Sequence, residues 1–204
     1  MTREPTPRPT TVQRQRRQVT VDALLTAAKD GMAEHGVDIS VEDIAALAQV
    51  ARRTAFRYFP TREELLSEAL TAASAEYLRS LPRFQDGDWQ PWFEELATLV
   101  HQRTVRNGRL YWELTTRRLP ERLSQAYDHH RENLRAVVRE AADTVWREAG
   151  GEGETPRLLR QTVAAHLNPL FTQAVLVGAE GSAELAADLT TKAVTATVRE
   201  LLAG

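Results

Sequence analysis

The densest chemistry in this 204-residue chain lies between Arg52 and Arg62, where Arg52, Arg53, Arg57 and Arg62 occur without an intervening carboxylate. Guanidinium groups crowded in this way repel one another, and their planar forks match phosphate oxygens and the major-groove edge of guanine. Thr54 and Tyr58 stand among them with hydroxyls able to donate to phosphates. Ala55 and Phe59, four residues apart, can face a core together with Val50. The segment is therefore expected to meet a polyanion.

The rest of the chain excludes other chemistry. With no cysteine there is no disulfide, zinc thiolate or thiol nucleophile. Asp128-His129-His130 lies inside a long helical stretch, where neighbouring side chains diverge by about 100° and cannot share a metal on one face. A glycine-rich phosphate loop, a Gly-x-Ser-x-Gly turn and a Glu-x-x-His pair are all missing. Neither an enzyme, nor a metal, nor a cofactor is expected. The chain is 42% hydrophobic and 26% charged with a net charge of −2, ordinary values for a soluble folded protein. No apolar run is long enough to span a membrane, and the polar, proline-bearing start is no secretion signal, so a cytoplasmic protein is expected. The net charge hides an asymmetry. Residues 1–62 hold 10 Lys/Arg against 7 Asp/Glu, and residues 63–204 hold 16 against 21, giving +3 and −5.

The elements that must position the arginines all read as helices. Residues 1–18 lack any apolar period and are expected to form a flexible basic arm. From Val21, the residues Leu24, Leu25, Ala28 and Met32 follow the 3.6 period, with Thr20 as cap and Gly36 as stop. Ser40 with Asp43 opens a second short helix whose inner face is Val41, Ile44, Ala45 and Ala48. After Gln49-Val50-Ala51 a third begins at Arg52 and ends before Pro60, and Thr61 with Glu64 caps a fourth. Further helices are expected over 89–106, 108–119, 121–149, 155–178 with a bend near Pro169, and 182–202. No window alternates as a strand, so the fold class is all-α with about nine helices.

Two short helices joined by a three-residue turn make a helix-turn-helix. Residues 20–70 resemble the DNA-binding domain of the tetracycline-repressor (TetR) family of bacterial transcriptional regulators. The resemblance rests on the helix from Leu24 to Gly36, Ile44-Ala45, Ala48-Gln49-Val50-Ala51, Phe56-Arg57-Tyr58-Phe59 and Arg62-Glu63-Glu64-Leu65. Gln49 replaces the usual turn glycine and must accept a left-handed backbone or reshape the turn. Phe56 replaces the usual tyrosine and lacks its hydroxyl. The resemblance implies a helix-turn-helix DNA-binding domain over 19–66 and a helical effector-binding and dimerisation domain over 67–204. It also implies that Arg52, Arg53 and Thr54 read bases, that Phe56, Tyr58 and Arg62 lie against the DNA backbone, and that Ser40 sits on the phosphate side. Arg57 joins them as an outward guanidinium. Arg14, Arg16 and Arg17 either enter an adjacent minor groove or belong to a solubilising tail.

One helix-turn-helix reads little sequence, whereas two copies about 34–36 Å apart exploit two-fold symmetry. By resemblance the homodimer forms through residues 155–202. That region supplies apolar surfaces around Leu158, Leu159, Val163 and Leu170, and around Leu185, Leu189, Val194 and Val198, which equally suit core helices of a monomer. Trp92, Phe93, Tyr111, Trp112 and Tyr127, with His101, Glu113, His130 and His166 as polar anchors, are expected to line a mainly apolar cavity. Taken singly, each aromatic reads better as core. The function implied is that of a repressor, located at the bacterial nucleoid, which leaves a palindromic double-stranded DNA operator when a small, largely apolar effector binds. The alternative is a regulator or helical adaptor without a small-molecule ligand.

Overall fold

The computed structural model describes residues 11–204, and every regular element among them is helical. In chain order these are α1 (Thr11–His35), α2 (Val41–Leu47), α3 (Arg52–Tyr58), α4 (Arg62–Ser80), α5 (Trp89–Arg106), α6 (Gly108–Thr116), α7 (Glu121–Glu148), α8 (Arg157–His166), α9 (Pro169–Gln173) and α10 (Ala183–Ala203). A π-helical turn, Ala174–Gly178, follows α9.

Local chemistry sets the helix ends. Gly36 closes α1 at φ 84, and its N–H donates to the Met32 carbonyl at 3.0 Å. Ser40 Oγ accepts the Asp43 N–H at 3.0 Å, and Thr61 Oγ1 accepts the Glu64 N–H at 3.2 Å. Part of the arm expected over residues 1–18 is helix instead. Residues 11–18 are helical, because no glycine or proline interrupts residues 11–30 and Arg and Gln are good helix formers. Residues 1–10 of that arm lie outside the described residues. Thr20 is consequently no cap, and its hydroxyl donates to the Arg16 carbonyl one turn back at 3.0 Å. The helix expected over 155–178 is divided. Asn168 caps α9 by accepting the Leu170 N–H at 2.8 Å, and Pro169 takes the first helical position, where no N–H is required. That break raises the expected nine helices to ten α-helices among the described residues.

Two hydrophobic clusters meet along α4. The first unites α1, α2 and α3 with Leu65, Leu66, Ala69 and Leu70 of α4, Leu110 and Leu114 of α6, and Leu123 of α7. The second gathers Tyr77 of α4 with α5, the rear half of α7, α8 and α10. The boundary expected between residues 66 and 67 thus falls inside an unbroken helix of 19 residues, about 28 Å long. Helix α4 is a beam common to both halves.

Candidate nucleic-acid interface and ligand cleft

The turn between α2 and α3 keeps the left-handed backbone, with Gln49 at φ 54. Ala55 and Phe59 are buried and anchor α3 on the first cluster. This turns Arg52, Arg53 and Arg57 to solvent and leaves Thr54, Phe56 and Tyr58 half-buried. The arginine cluster is less bare than the sequence alone implied. A guanidinium nitrogen of Arg52 lies 2.7 Å from Glu42 Oε1. Arg62 donates to the Asp38 carbonyl at 3.1 Å and lies 3.8 Å from its carboxylate. Both partners are remote in sequence, which is why a window from Arg52 to Arg62 missed them. Exposed pairs of this kind hold with about 0–1 kcal/mol and yield to a stronger anion. Arg53 and Arg57 have no carboxylate partner among the described residues. Arg57 and Arg17 of α1 lie 5.0 and 5.8 Å from the centroid of the Tyr58 ring, so the start of α1 brings a further cation beside α3. The Ser40 hydroxyl is engaged locally, donating to Asp43 Oδ2 at 2.6 Å, and can reach a phosphate only by giving up that bond.

A cleft of about 1240 Å3 opens between α6, α7, α8 and α9, above the roughly 300–1,000 Å3 usual for small-molecule pockets. Of the expected effector residues, Tyr111, Trp112, Tyr127 and His130 line it. His130 sits between Tyr111 and Tyr127, with both ring centroids 6.4 Å away and the planes nearly parallel. Its Nδ1 lies 2.8 Å from Ser74 Oγ of α4. Burial, and then the charge of Arg103, lowers its pKa to about 4, so the ring is neutral at pH 7.

The other five expected residues do not line the cleft. Trp92 donates its Nε1 hydrogen to the Pro82 carbonyl at 3.0 Å, and Phe93 is fully buried in the second cluster. His101 is fully buried, with Nδ1 2.8 Å from Thr172 Oγ1 and Nε2 2.9 Å from Thr190 Oγ1. Thr190 already donates to the Ala186 carbonyl at 2.7 Å, so it accepts from His101 Nε2–H while Thr172 donates to Nδ1. His166 donates from Nδ1 to the Thr162 carbonyl at 2.8 Å and packs on Phe171. Glu113 points the other way along α6. The physical reason is common to the α5 residues: α5 buries its apolar face in the second cluster, with His101 bonded to the α9 and α10 threonines, and offers little to the cleft.

Sequence reasoning missed the charge of the cleft wall. Arg109, Arg117 and Arg118 line it from α6 and the turn that follows, Arg131, Arg135 and Arg139 from α7, and Arg160 from α8, against the single carboxylate of Asp128. The signal was legible. Arg131, Arg135 and Arg139 recur every four residues beside a stripe of Tyr127, His130, Leu134 and Val138.

Helix α6 connects this cleft to the front of the molecule. Tyr111, Trp112 and Thr115 line the cleft, while Glu113 Oε2 accepts the Val37 N–H at 2.8 Å. Arg109 donates to the Glu34 carbonyl at 3.1 Å, and Arg117 pairs with Asp38 at 2.7 Å. The Val37 hydrogen bond, helped by Arg109 and Arg117, holds the Glu113 carboxyl below its usual pKa, and Arg117 does the same for Asp38. Gly36 makes room for this clamp, since a Cβ there would lie 2.4 Å from the Glu113 oxygens. At the start of α4, Glu63 Oε1 accepts the Arg122 N–H and Glu64 Oε1 pairs with its guanidinium, both at 2.7 Å.

The apolar surfaces expected for pairing are split. Leu159, Val163, Val194 and Val198 are buried within the chain. Leu158, Leu170, Leu185 and Leu189 remain 50, 60, 39 and 40% exposed.

Fold and site together define an all-α helix-turn-helix protein whose later helices enclose a large cleft. Residues 24–69 match the family model of bacterial regulatory proteins of the tetR family. The fold of the chain is similar to a tetR-family transcriptional regulator from Streptomyces coelicolor (TM-score 0.67, 18% identity, covering 91% of this chain and 89% of that one). It is also similar to the transcriptional regulator FadR from Bacillus subtilis in complex with stearoyl-CoA (0.65, 14%, 85% and 96%). A third likeness is to reduced NemR from E. coli (0.64, 16%, 86% and 95%). No curated protein matches the chain in sequence. Among the described residues, no helix is long and apolar enough to cross a membrane, and no three His, Asp or Glu side chains are grouped to hold a metal.

Proposed function

We propose that this protein is a repressor that binds a palindromic operator as a homodimer and leaves it when a small molecule fills the cleft. Residues 19–66 form the reading domain, with Arg52, Arg53 and Thr54 directed to base edges and Phe56, Arg57, Tyr58 and Arg62 to the DNA backbone. Residues 67–204 form the effector and pairing domain, and residues 155–202 hold the two copies together. The observation that carries this reading is α6, which lines the cleft with Tyr111 and Trp112 and grips the α1–α2 junction with Glu113 and Arg117. A ligand that prefers a shifted α6 necessarily weakens the conformation that fits DNA, and one indifferent to the shift changes nothing. The stearoyl-CoA bound to the similarly folded FadR supports a small-molecule role for such a cleft. The exposed leucines of α8 and α10 support pairing, and the proposed setting is the bacterial cytoplasm.

Selection of binding sites from random duplex DNA tests the reading. The expected product is an inverted repeat bound by two chains, with loss of binding on addition of compounds that raise the melting temperature. Enrichment of a single unrepeated half-site overturns the dimeric repressor. Stable operator binding in the presence of every compound that stabilises the protein leaves the ligand-free regulator as the better account.

A further inference from the structure

The cleft wall departs furthest from what an apolar effector requires. Asp128 pairs with Arg131 at 3.7 Å, and Asp143 with Arg160 at 3.2 Å. Glu132 alone serves both Arg135 at 3.2 Å and Arg139 at 3.4 Å. Arg118 has no carboxylate partner among the described residues. Arg109 pairs with Glu113 and Arg117 with Asp38, so the seven lining arginines meet five carboxylates, an excess of two positive charges, and four of those five carboxylates stand outside the lining. Behind the floor, Arg103 lies 4.1 Å from the centre of the Tyr77 ring, with a buried Nε that has no hydrogen-bond partner among the described residues.

Stability does not account for this arrangement. Like charges one turn apart cost a helix a few tenths of a kcal/mol, about the size of what exposed pairs return. An anion bound among the arginines reverses that repulsion and collects charge-assisted hydrogen bonds. The remaining wall is apolar. Trp112 and Leu170 line the cleft while staying 62 and 60% exposed, and Leu134, Leu167 and Val138 continue the surface. Apolar area left open to water beside unneutralised guanidiniums matches one kind of occupant.

We infer that the cleft takes an amphipathic anion, an apolar chain or ring system ending in a carboxylate or phosphoryl head. Arg118, Arg131, Arg135 and Arg139 hold the head, and Trp112, Leu134 and Leu170 receive the apolar body. This rests on the reading of the cleft as the effector site and replaces a largely apolar effector with a charged one.

The full chain is titrated with four probes that share a dodecyl tail: dodecanoate, dodecyl phosphate, dodecanol and dodecyltrimethylammonium, each below its micellar concentration. Tryptophan fluorescence, compared with that of Trp112→Phe because the chain holds four tryptophans, reports on Trp112, and melting temperature gives an independent readout. The expected result is binding of both anions at least about tenfold tighter than dodecanol, weakening with salt, and no binding of the cation. In Arg135→Gln/Arg139→Gln, a change at two exposed positions, the anions lose about tenfold while dodecanol is unaffected. Tighter binding of dodecyl phosphate than of dodecanoate supports the inference with a phosphoryl head, and equal binding supports it with a carboxylate. Dodecanol binding as tightly as the anions, with no effect of the double variant, overturns the inference and leaves the effector cleft standing. Failure of all four probes to bind overturns the cleft reading itself.

Discussion

Ser74 Oγ lies 2.8 Å from His130 Nδ1, and this hydrogen bond joins the helix shared by both hydrophobic clusters to the floor of the cleft. Ser74 is 4% and His130 3% exposed, so water cannot replace either partner. The pair lies rearward of the Arg122–Glu64 contact at the start of α4, so α7 grips α4 at two points along its length. A ligand against the His130 ring consequently bears on the helix that shares the first cluster with α3.

The two buried histidines make stability depend on pH. His130 and His101 each have a pKa of about 4 in the folded chain, against the usual 6.5, mainly because burial disfavours the cation. A lowered folded pKa means that the unfolded chain takes up protons first. The stability contribution is complete above pH 6.5, falls as the pH drops toward 4, and is exhausted below that. Each histidine adds a slope of about 1.4 kcal/mol per pH unit within the window. Urea denaturation across this range should show the fall, and His101→Gln/His130→Gln should flatten it; an unchanged slope in the double variant contradicts the assignment.

The clamp on the α1–α2 junction sets a second expectation. Gly36→Ala places a Cβ in a left-handed position and against the Glu113 carboxylate. It should cost about 1–3 kcal/mol, as should Glu113→Ala, which strands the Val37 N–H. Because both changes act on one contact, the double variant should lose clearly less than the sum. Strict additivity in chemical denaturation would show that the two residues act separately.

Gln49 is strained where glycine is free. Gln49→Gly should raise stability by up to about 1 kcal/mol with no change in the denaturation slope. A drop in the denaturation midpoint would mean that the Gln49 side chain earns its place through contacts in solution.

Arg53 and Arg62 should differ in what they lose with DNA. Arg53 projects from α3 without a carboxylate partner among the described residues, so Arg53→Ala should cost about 1–3 kcal/mol and relax choice among operator bases. Arg62 already donates to Asp38, so Arg62→Ala should weaken all duplexes alike and reduce the salt slope by no more than about one. Binding isotherms on operator and random DNA at several salt concentrations separate these outcomes, and identical behaviour of the two variants contradicts the division.

Pairing through the last helices is tested on exposed residues. Leu189, 40% exposed on α10, should tolerate Arg in the folded monomer while breaking the dimer. Val194 is 0% exposed, so Val194→Arg should unfold the chain instead. Light scattering with circular dichroism distinguishes the cases, and a folded dimer of Leu189→Arg moves the interface elsewhere.

What could be read along the chain was local. Apolar period, the caps at Ser40 and Thr61 and the stop at Gly36 all follow from neighbours within four residues, as do most helix boundaries, whereas the αL demand on Gln49 came from the family resemblance. The arginine face of α3 was equally legible, because Ala55 and Phe59 fix which side turns inward. Tertiary structure alone decided which groups meet across tens of residues. It gave Arg52 and Arg62 their carboxylates, sent His101 to two threonines on α9 and α10 instead of the cleft, buried Val194 and set Ser74 against His130. Periodicity names the inward face of a helix but not the neighbour it packs against, and charge pairing depends on that neighbour.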